Sequence, residues 1–391
     1  MMLRAILKYS LLLIVIVVAI LAYMAQSPFP KGIVRVALDA HMDPQSRPMT
    51  DYWKESRYFA WRTNRGALFL GRRNADELFQ AVQLGDALNH NQQPILHVIR
   101  KGKHQGKVVV VHHDAQNRLL VQRTHHADNT RSWTPPKQIG DEQVKGMTLL
   151  ETPDGELILI YQQQLANMIQ IRMRFSHNGG LQWGSATLLS SSGGDKAEEL
   201  LVDGAPVEGG YRIDLLKLQP QTSNFSLQLL QGHIANGSRS WAPIDNPTLQ
   251  KTMASLPHGT YTLHDLRSAT DGVRMLWRDE ETGKGQWLRW GPLGIEQRDL
   301  GGVSPAPCGM SLTRKNHEVI VVREPNKQLQ QISIKEQTPK IQHQSPDALN
   351  PVCQVRALLT GQDLDLLFTR QGGPNRPSGL LGLSWATLTE P

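Results

Sequence analysis

The chain has 391 residues, of which 39% are hydrophobic and 20% are charged. This is an ordinary globular composition with ample material for a core, which excludes a mainly disordered chain. The formal net charge is +7, but the positive side chains are scattered and form no long basic run. The charge pattern therefore indicates a solvated surface and excludes nucleic acid as an expected partner.

The N-terminus carries an apolar segment from Tyr9 to Ala25, preceded by Arg4 and Lys8. Its 17 residues reach the lower limit for a membrane-spanning helix. The preceding cations favour a cytoplasmic N-terminus, with the rest of the chain on the other side of the membrane. A cleaved signal peptide is the alternative, although Tyr23-Met24-Ala25 is a poor cleavage site. We expect a single-pass signal anchor over residues 1–26 and a periplasmic or extracellular body.

Residues 27–92 are predicted to form a linker with accessory elements. Residues 27–31 contain two prolines and are predicted to be a stiff linker directly after the membrane-spanning segment. Residues 32–38 form a candidate strand, and some part of the region before residue 93 is expected to close a ring by supplying an outer strand. Residues 58–70 read as a hairpin. Asn74 followed by Glu77 resembles a helix N-terminus, so a short helix is predicted over residues 75–84.

From residue 93 onward, short apolar runs recur at regular spacing. Continuous aliphatic runs of this length are typical of buried strands. The runs are Val108–Val111, Leu157–Tyr161, Tyr211–Leu216, Val273–Trp277, Val319–Val322 and Leu364–Phe368. A candidate inner strand precedes each run, with centres near His97, Gly146, Leu201, Leu263, Cys308 and Cys353. The sequence thus contains six repeats over residues 93–391.

A turn followed by a tryptophan recurs along the same region. The best copy runs from Phe175 to Trp183, where Asn178, Gly179 and Gly180 supply the positive φ of a tight turn. Weaker copies are His126–Trp133, Ile234–Trp241 and Glu281–Trp287. The four tryptophans lie 50, 58 and 46 residues apart. Periods of about 40–50 residues are typical of propeller blades.

These turns resemble the Asp-box of the sialidase-like (BNR-repeat) β-propellers, Ser-x-Asp-x-Gly-x-Thr-Trp. Ser176, Gly180 and Trp183 match that pattern, with Asn178 in the Asp place. The resemblance implies an all-β, six-bladed propeller in which the box is a structural turn between the third and fourth strands of a blade. A generic all-β sandwich with tryptophan-containing hairpins is the alternative.

The resemblance also implies where chemistry would lie, at one mouth of the central channel. Active sialidases grip a carboxylate with three arginines and use an Asp and a Tyr–Glu pair. Here the early Arg-Ile-Pro signature is replaced by Gln93-Pro94-Ile95, and no Tyr–Glu pair is assigned. Arginine suits this role because its planar fork matches a carboxylate.

The candidate site residues are chosen by their positions relative to the predicted inner strands. The substrate-binding candidates are Arg100, Arg267, Arg356 and Asp203. The catalytic candidates are His97, Asp114, His264 and Asp265, because His and Asp together can transfer protons. The alternative for each of them is a structural role on a blade face.

The sequence lacks a phosphate-binding loop for nucleotides, a Gly-x-Ser-x-Gly nucleophile elbow and a zinc-binding motif. No cofactor and no metal are therefore predicted. Cys308 and Cys353 occupy equivalent places in neighbouring predicted inner strands. A disulfide between them is compatible with an exported protein, and two small buried thiols are the alternative.

The resulting hypothesis is a membrane-anchored propeller that acts on or binds glycans, either as a divergent sialidase-type glycoside hydrolase or as a glycan-binding relative. The alternative is a non-enzymatic scaffold that presents its propeller face to a partner protein at the membrane. The sequence does not indicate an oligomeric state.

Overall fold

The structure is a computed structural model. It describes residues 33–37, 49–54, 56–63, 65–73, 79–85, 94–114, 116, 118–126, 129–140, 144–193, 199–220, 225–235, 238–243, 261–300, 306–312, 318–323, 329–333, 340–344, 356–360, 363–370 and 379–386.

In these residues, 28 strands form seven antiparallel four-stranded sheets. Blades 1 to 3 are β2–β5 (Met49–Trp53, Ser56–Arg62, Leu68–Arg73, Phe79–Gly85), β6–β9 (Ile95–Val98, Val108–His113, Leu119–Arg123, Lys137–Gly140) and β10–β13 (Val144–Glu151, Leu157–Leu165, Met168–Ser176, Thr187–Gly193). Blades 4 and 5 are β14–β17 (Glu199–Val207, Gly210–Pro220, Phe225–Ala235, Ser238–Pro243) and β18–β21 (Tyr261–Ala269, Gly272–Asp279, Gly285–Gly291, Gly294–Asp299). Blade 6 is β22–β25 (Ala306–Leu312, Glu318–Arg323, Leu329–Ser333, Lys340–Gln344), and blade 7 combines β26–β28 (Arg356–Thr360, Asp363–Arg370, Gly379–Ala386) with β1 (Ile33–Ala37).

The seven sheets close into a ring. The first strand of each blade contacts the first strand of the next, and β26 of blade 7 contacts β2 of blade 1. Strand β1 pairs with β28, so the N-terminal strand completes the last blade; ring closure was expected of some part of residues 27–92, without assignment to this strand. The fold is therefore a seven-bladed β-propeller whose ring is closed by both ends of the described chain.

The core lies between the faces of neighbouring blades. The second strands supply much of it, because their continuous apolar runs, such as Val108–Val111 and Leu157–Tyr161, are buried on both faces. One cluster joins blades 2 and 3, and others join blades 1 and 2, 3 and 4, and 5 and 6. Each fully buried aliphatic side chain contributes about 1.5–3 kcal/mol to this packing.

The prediction of six blades is wrong. The six repeats after residue 93 do form six sheets, but residues 49–85 form a complete seventh sheet, which the sequence patterns assigned to accessory elements. The predicted helix over residues 75–84 is also wrong where the structure describes it, because Phe79–Gly85 is the outer strand of blade 1. Its pairing with β4 overrides the capping signal at Asn74 and Glu77.

Three of the four tryptophans share a packing position, but only two of them lie in turns. Trp133 and Trp183 precede the fourth strands of their blades, and each Nε1 donates to a carbonyl three residues back, whereas Trp241 lies within β17. Trp133, Trp183 and Trp241 follow the third strands of blades 2, 3 and 4, and each packs against the core shared with the preceding blade. Trp287 differs, since it lies within the third strand of blade 5 and packs toward blade 6. The fourth predicted copy is therefore not equivalent to the other three.

The predicted anchor at residues 9–25 lies outside the described residues. Among the residues that are described, there is no helix with the length and apolar character needed to cross a membrane. The anchor stays a prediction.

Candidate functional site

Ionisable side chains from three successive blades meet at the innermost strands. Asp51 lies on β2, His97 on β6, Arg100 just after β6, and Glu151 at the end of β10. We call these four residues the inner-strand cluster. Propeller topology brings them together, because neighbouring first strands surround the axis although their sequence positions are up to 100 residues apart.

His97 is the centre of the inner-strand cluster. Its Nε2 donates to a Glu151 carboxylate oxygen at 2.9 Å, and its Nδ1 lies 3.6 Å from Asp51 Oδ2. A second ion pair joins Arg100 to Asp51. An imidazole between two carboxylates is held in a fixed orientation, which is the arrangement that positions a histidine for proton transfer.

Both carboxylates also bind backbone N–H groups of blade 2. Asp51 accepts from the N–H of Val98 at 2.7 Å. Glu151 accepts from the N–H of Arg100 at 2.9 Å and from that of Lys101 at 2.8 Å. The two acids therefore fasten blades 1 and 3 to blade 2 as well as orienting His97.

The surroundings of Glu151 and Arg100 favour the charged forms of these two side chains. Burial by itself would raise the pKa of Glu151, but the hydrogen bonds from His97 and the backbone outweigh it and lower that pKa. Burial disfavours the charge on Arg100, yet the Asp51 carboxylate raises the Arg100 pKa. The Arg100 side chain is 36% exposed, and its guanidinium lies 5.4 Å from the ring centre of Tyr52. Arg100 is therefore a solvent-accessible cation.

Asp265 and Arg267 form a comparable pair between blades 5 and 6. Asp265 accepts from the N–H of Met310 at 2.9 Å, and Arg267 Nε donates to the Met310 carbonyl at 3.0 Å. The guanidinium also contacts Asp265 at 3.3 Å. Burial opposes the charge on Arg267, while the carboxylates of Asp265 and Asp203 raise its pKa. We call Asp265, Arg267 and Met310 the blade 5–6 fastener.

Asp203 on β14 joins blades 4 and 5. Its carboxylate accepts from the N–H of Ser268 at 2.8 Å. Burial raises the pKa of Asp203, and the nearby Arg267 only partly opposes this. Asp203 therefore lies beside the blade 5–6 fastener. Among the described residues, no hydrogen bond or ion pair links it to Arg100.

The remaining predicted residues are dispersed. Asp114 follows β7 and accepts from the N–H groups of Gln116 and Arg118, both at 2.9 Å, so it orders the turn to β8. His264 lies at a β-bulge in β18. Bulges are frequent near active sites, where they redirect a side chain.

Arg356 begins β26, but its side chain lies outside the described residues, as do Cys353 and the side chain of Cys308. The convergence of three arginines and the disulfide stay predictions. In the described part of the chain, no three metal-ligating side chains are grouped as a metal site.

Sequence reasoning missed Asp51 and Glu151. Asp51 lies in the blade that was not recognised, within Met49–Trp53. Glu151 occupies the last position of an inner strand, just before the Pro153-Asp154-Gly155 turn, and that position was the available signal. Tyr211 was set aside in the sequence as a residue of a core strand, and it is buried on β15. Burial raises its pKa, helped by the carboxylates of Asp203 and Glu151, so the phenol stays protonated at neutral pH.

Comparison with known proteins supports the fold. No protein-family model matches the chain, and no curated protein matches it in sequence. Among solved structures, the polysaccharide lyase Uly1 is similar with a TM-score of 0.60 at 10% identity, over 89% of this chain and 91% of that one. A PL25 ulvan lyase bound to -[GlcA(1-4)Rha3S]- also has a TM-score of 0.60, at 6% identity over 91% of this chain and 95% of that one. At such identities the likeness shows a shared propeller fold.

Proposed function

We propose that this protein is a glycan-directed propeller and that its glycan site is the inner-strand cluster. One observation carries the proposal. A histidine held between two carboxylates lies beside a partly exposed arginine, on strands that border the propeller axis. Polar groups that converge on the axis of a ring fold are a default binding-site hypothesis.

Each residue has a distinct role in this proposal. Arg100 supplies the hydrogen-bonding cation for an acidic sugar, because a guanidinium matches a carboxylate in shape and charge. Glu151 holds the His97 ring through Nε2, and Nδ1, which lies 3.6 Å from Asp51 and so beyond hydrogen-bond distance, interacts with a sugar oxygen. Asp51 limits the affinity, since it neutralises part of the charge on Arg100.

The proposal extends to acidic glycans because of the fold comparison. One similar structure is a lyase bound to a chain containing GlcA and Rha3S, which carries carboxylate and sulfate groups. Sialosides are acidic too, and the shared turn geometry of Trp133 and Trp183, whose Nε1 atoms each donate to a carbonyl three residues back, supports the Asp-box relationship that we propose for blades 2 and 3. Sialidase-type hydrolysis is the less favoured chemistry. The raised pKa of Tyr211 opposes its use as a nucleophile.

A binding and activity panel tests this function. The full-length chain in detergent is applied to a glycan array, and product formation is assayed on fluorogenic sialosides and on uronate-containing polysaccharides. We expect retention of acidic glycans, about a tenfold weaker binding in Arg100→Ala, and a similar loss in His97→Ala. Arg118→Ala is the matched control, because Arg118 is exposed and pairs with Asp114 in a turn. Equal binding by Arg100→Ala and Arg118→Ala would contradict the proposal.

A non-enzymatic scaffold is the second candidate, and one observation favours it. Asp51, Glu151, Asp203 and Asp265 each accept a backbone N–H of a neighbouring blade, as structural fasteners do. Cross-linking of the full-length protein in its native membrane distinguishes this candidate. A specific partner protein, together with an array that retains no glycan, would favour the scaffold.

We also propose that residues 9–25 anchor the propeller outside the cytoplasm. The support is the length and apolar character of the segment and the two cations before it. Carbonate extraction tests the anchor, and protease added to intact cells or spheroplasts tests the side. Release by carbonate, or full protection from external protease, would contradict it.

A further inference from the structure

A groove separates the Trp183 turn of blade 3 from the outer strand of blade 4. Its volume is about 400 Å³, within the range of small-molecule sites. The residues that matter for its chemistry are Phe175, His177, Gln182, Trp183, Ser185 and Arg239. None of them belongs to the inner-strand cluster. The groove lies at the outer part of the blades, because its loop leads into β13 and Arg239 lies on β17.

Arg239 is held in place before any ligand binds. Its guanidinium lies over the Phe175 ring, 3.4 Å from the ring centre. One nitrogen, Nη2, donates to Glu156 Oε1 at 3.0 Å. The same carboxylate oxygen lies 3.2 Å from His177 Nδ1. Stacking and the ion pair fix the guanidinium plane, so ligand binding has little side-chain freedom left to restrict.

The wall opposite Arg239 is aromatic and amphipathic. Trp183 Nε1 donates to the Gly180 carbonyl at 3.2 Å, which fixes the half-buried indole along the groove. The turn beneath it is ordered, since Asn178 Oδ1 accepts from the N–H of Gln182 at 2.8 Å. Gln182 Oε1 accepts from Asn178, and the Gln182 amide nitrogen has no partner among the described residues. It therefore remains available to a ligand.

We propose that this groove binds an acidic sugar residue of a glycan. The carboxylate or sulfate of the sugar would accept from the Nη1 and Nε of Arg239, which have no hydrogen-bond partner in the described residues. The apolar face of the sugar ring would lie on Trp183, and Gln182 would donate to a hydroxyl oxygen. The free groups are mainly donors, which suits a ligand rich in acceptor oxygens. The inference shares the ligand class of the proposed function but none of its residues.

The neighbouring blade supplies a contrast. Arg239 stands two residues before Trp241, and the residue two before Trp183 is Leu181, which is 39% exposed. Leu181 of blade 3 therefore has the same offset relative to the Trp133 turn of blade 2 that Arg239 of blade 4 has relative to the Trp183 turn. The offset is occupied by an aliphatic side chain in the first case and by a cation in the second. In blade 2 the corresponding residue is Arg131, an exposed arginine. Arg131 provides a matched control with the same charge and the same offset from a tryptophan.

Calorimetric titration of the full-length chain in detergent tests the inference. The probes are tetragalacturonate, which is acidic, and maltotetraose, which is neutral. We expect tetragalacturonate to bind the groove with a Kd about tenfold higher in Arg239→Ala and with an unchanged Kd in Arg131→Ala. Arg239→Lys, which keeps the charge but loses the fork, should fall between the two. A thermal melt of each variant shows that the fold is retained.

Each outcome separates the groove from the inner-strand cluster. Tetragalacturonate binding that is lost in Arg239→Ala and unchanged in Arg100→Ala supports the inference, even if the inner-strand cluster binds no glycan. Binding that Arg100→Ala abolishes and Arg239→Ala leaves unchanged overturns the inference and leaves the proposed function standing. Equal groove binding of maltotetraose and tetragalacturonate, or no tetragalacturonate binding in the wild type, also overturns it.

Discussion

The inner-strand cluster and the blade 5–6 fastener contain the same residue types but have different roles. In each, an aspartate on an innermost strand accepts a backbone N–H of the next blade and pairs with an arginine. Arg267 is 18% exposed and donates to a backbone carbonyl, so the fastener is directed into the protein. Arg100 is 36% exposed, and its carboxylate partner also faces His97.

The difference teaches that an Asp–Arg pair near a propeller axis is by itself evidence of blade assembly. Backbone N–H and carbonyl groups at the edge of an innermost strand need partners, and a charged pair from the next blade satisfies both kinds. What distinguishes the inner-strand cluster is the additional histidine and a second carboxylate, Glu151. His97 and Glu151, together with the greater exposure of Arg100, therefore indicate a role beyond blade assembly.

The largest expected effect is on the blade 5–6 fastener. Asp265→Ala leaves Arg267 without its carboxylate and removes the acceptor for the Met310 N–H. We expect a loss of about 3–5 kcal/mol in the free energy of unfolding, measured by urea titration of the full-length chain at neutral pH. Asp265→Asn is the control, because it keeps an acceptor for Met310 and should lose less. A loss below about 1 kcal/mol in Asp265→Ala would place the pair among surface salt bridges.

The second prediction concerns Glu151 and is specific in its pH dependence. Its folded-state pKa is lowered, so its carboxylate contributes stability above the ordinary value of 4.5 and loses that contribution as pH falls through the folded pKa. Glu151→Gln should therefore lower the free energy of unfolding by about 1–2 kcal/mol at pH 7. The difference from wild type should shrink below pH 4.5. A difference in the free energy of unfolding between Glu151→Gln and wild type that stays constant from pH 7 to acidic pH would contradict the link between the Glu151 pKa and stability.

For Asp203 we expect the opposite effect of pH on the free energy of unfolding. Burial raises its folded-state pKa, so its ionisation destabilises the fold as pH rises from the ordinary value of 3.8 through the raised pKa. Asp203→Asn keeps an acceptor for the Ser268 N–H and removes the buried charge. We expect a gain of about 1 kcal/mol at pH 7 and no difference in acid, measured by the same urea titration. A loss at pH 7 would show that attraction to Arg267 outweighs burial.

Much of the ring was predictable from local patterns. All six predicted runs lie in the second strands of their blades, and those whose side chains the structure describes are apolar and continuous because both of their faces are buried. Blade 1 was missed although the apolar centre of its second strand, Ser56–Arg62, is as long as the run Val108–Val111, because residues 75–84 were predicted to be a helix and no outer strand was recognised. The strand Phe79–Gly85 has little intrinsic preference, and its pairing with β4 decides its structure.

The candidate site was predictable only in part. His97 and Arg100 were found by their offset from an inner strand, and that offset places them at the axis. Asp51 and Glu151 were not found, because their roles depend on contacts between blades that are about 50 residues apart in sequence. Asp265 was found by the same offset rule and lies in the fastener. Position along a strand indicates which residues approach the axis, and the neighbouring blade decides what they do there.

The smallest effect is expected at Asp114. It pairs with the exposed Arg118 and accepts two backbone N–H groups in the turn between β7 and β8. Burial opposes the charge of Asp114, but these hydrogen bonds and Arg118 together outweigh it and lower the pKa of Asp114. Asp114→Asn keeps one acceptor for the turn, so we expect a change below about 1 kcal/mol in unfolding free energy and no change in glycan retention. A tenfold loss of retention on the array with normal stability would move Asp114 into the site, because a turn residue with only local partners has no other route to the ligand.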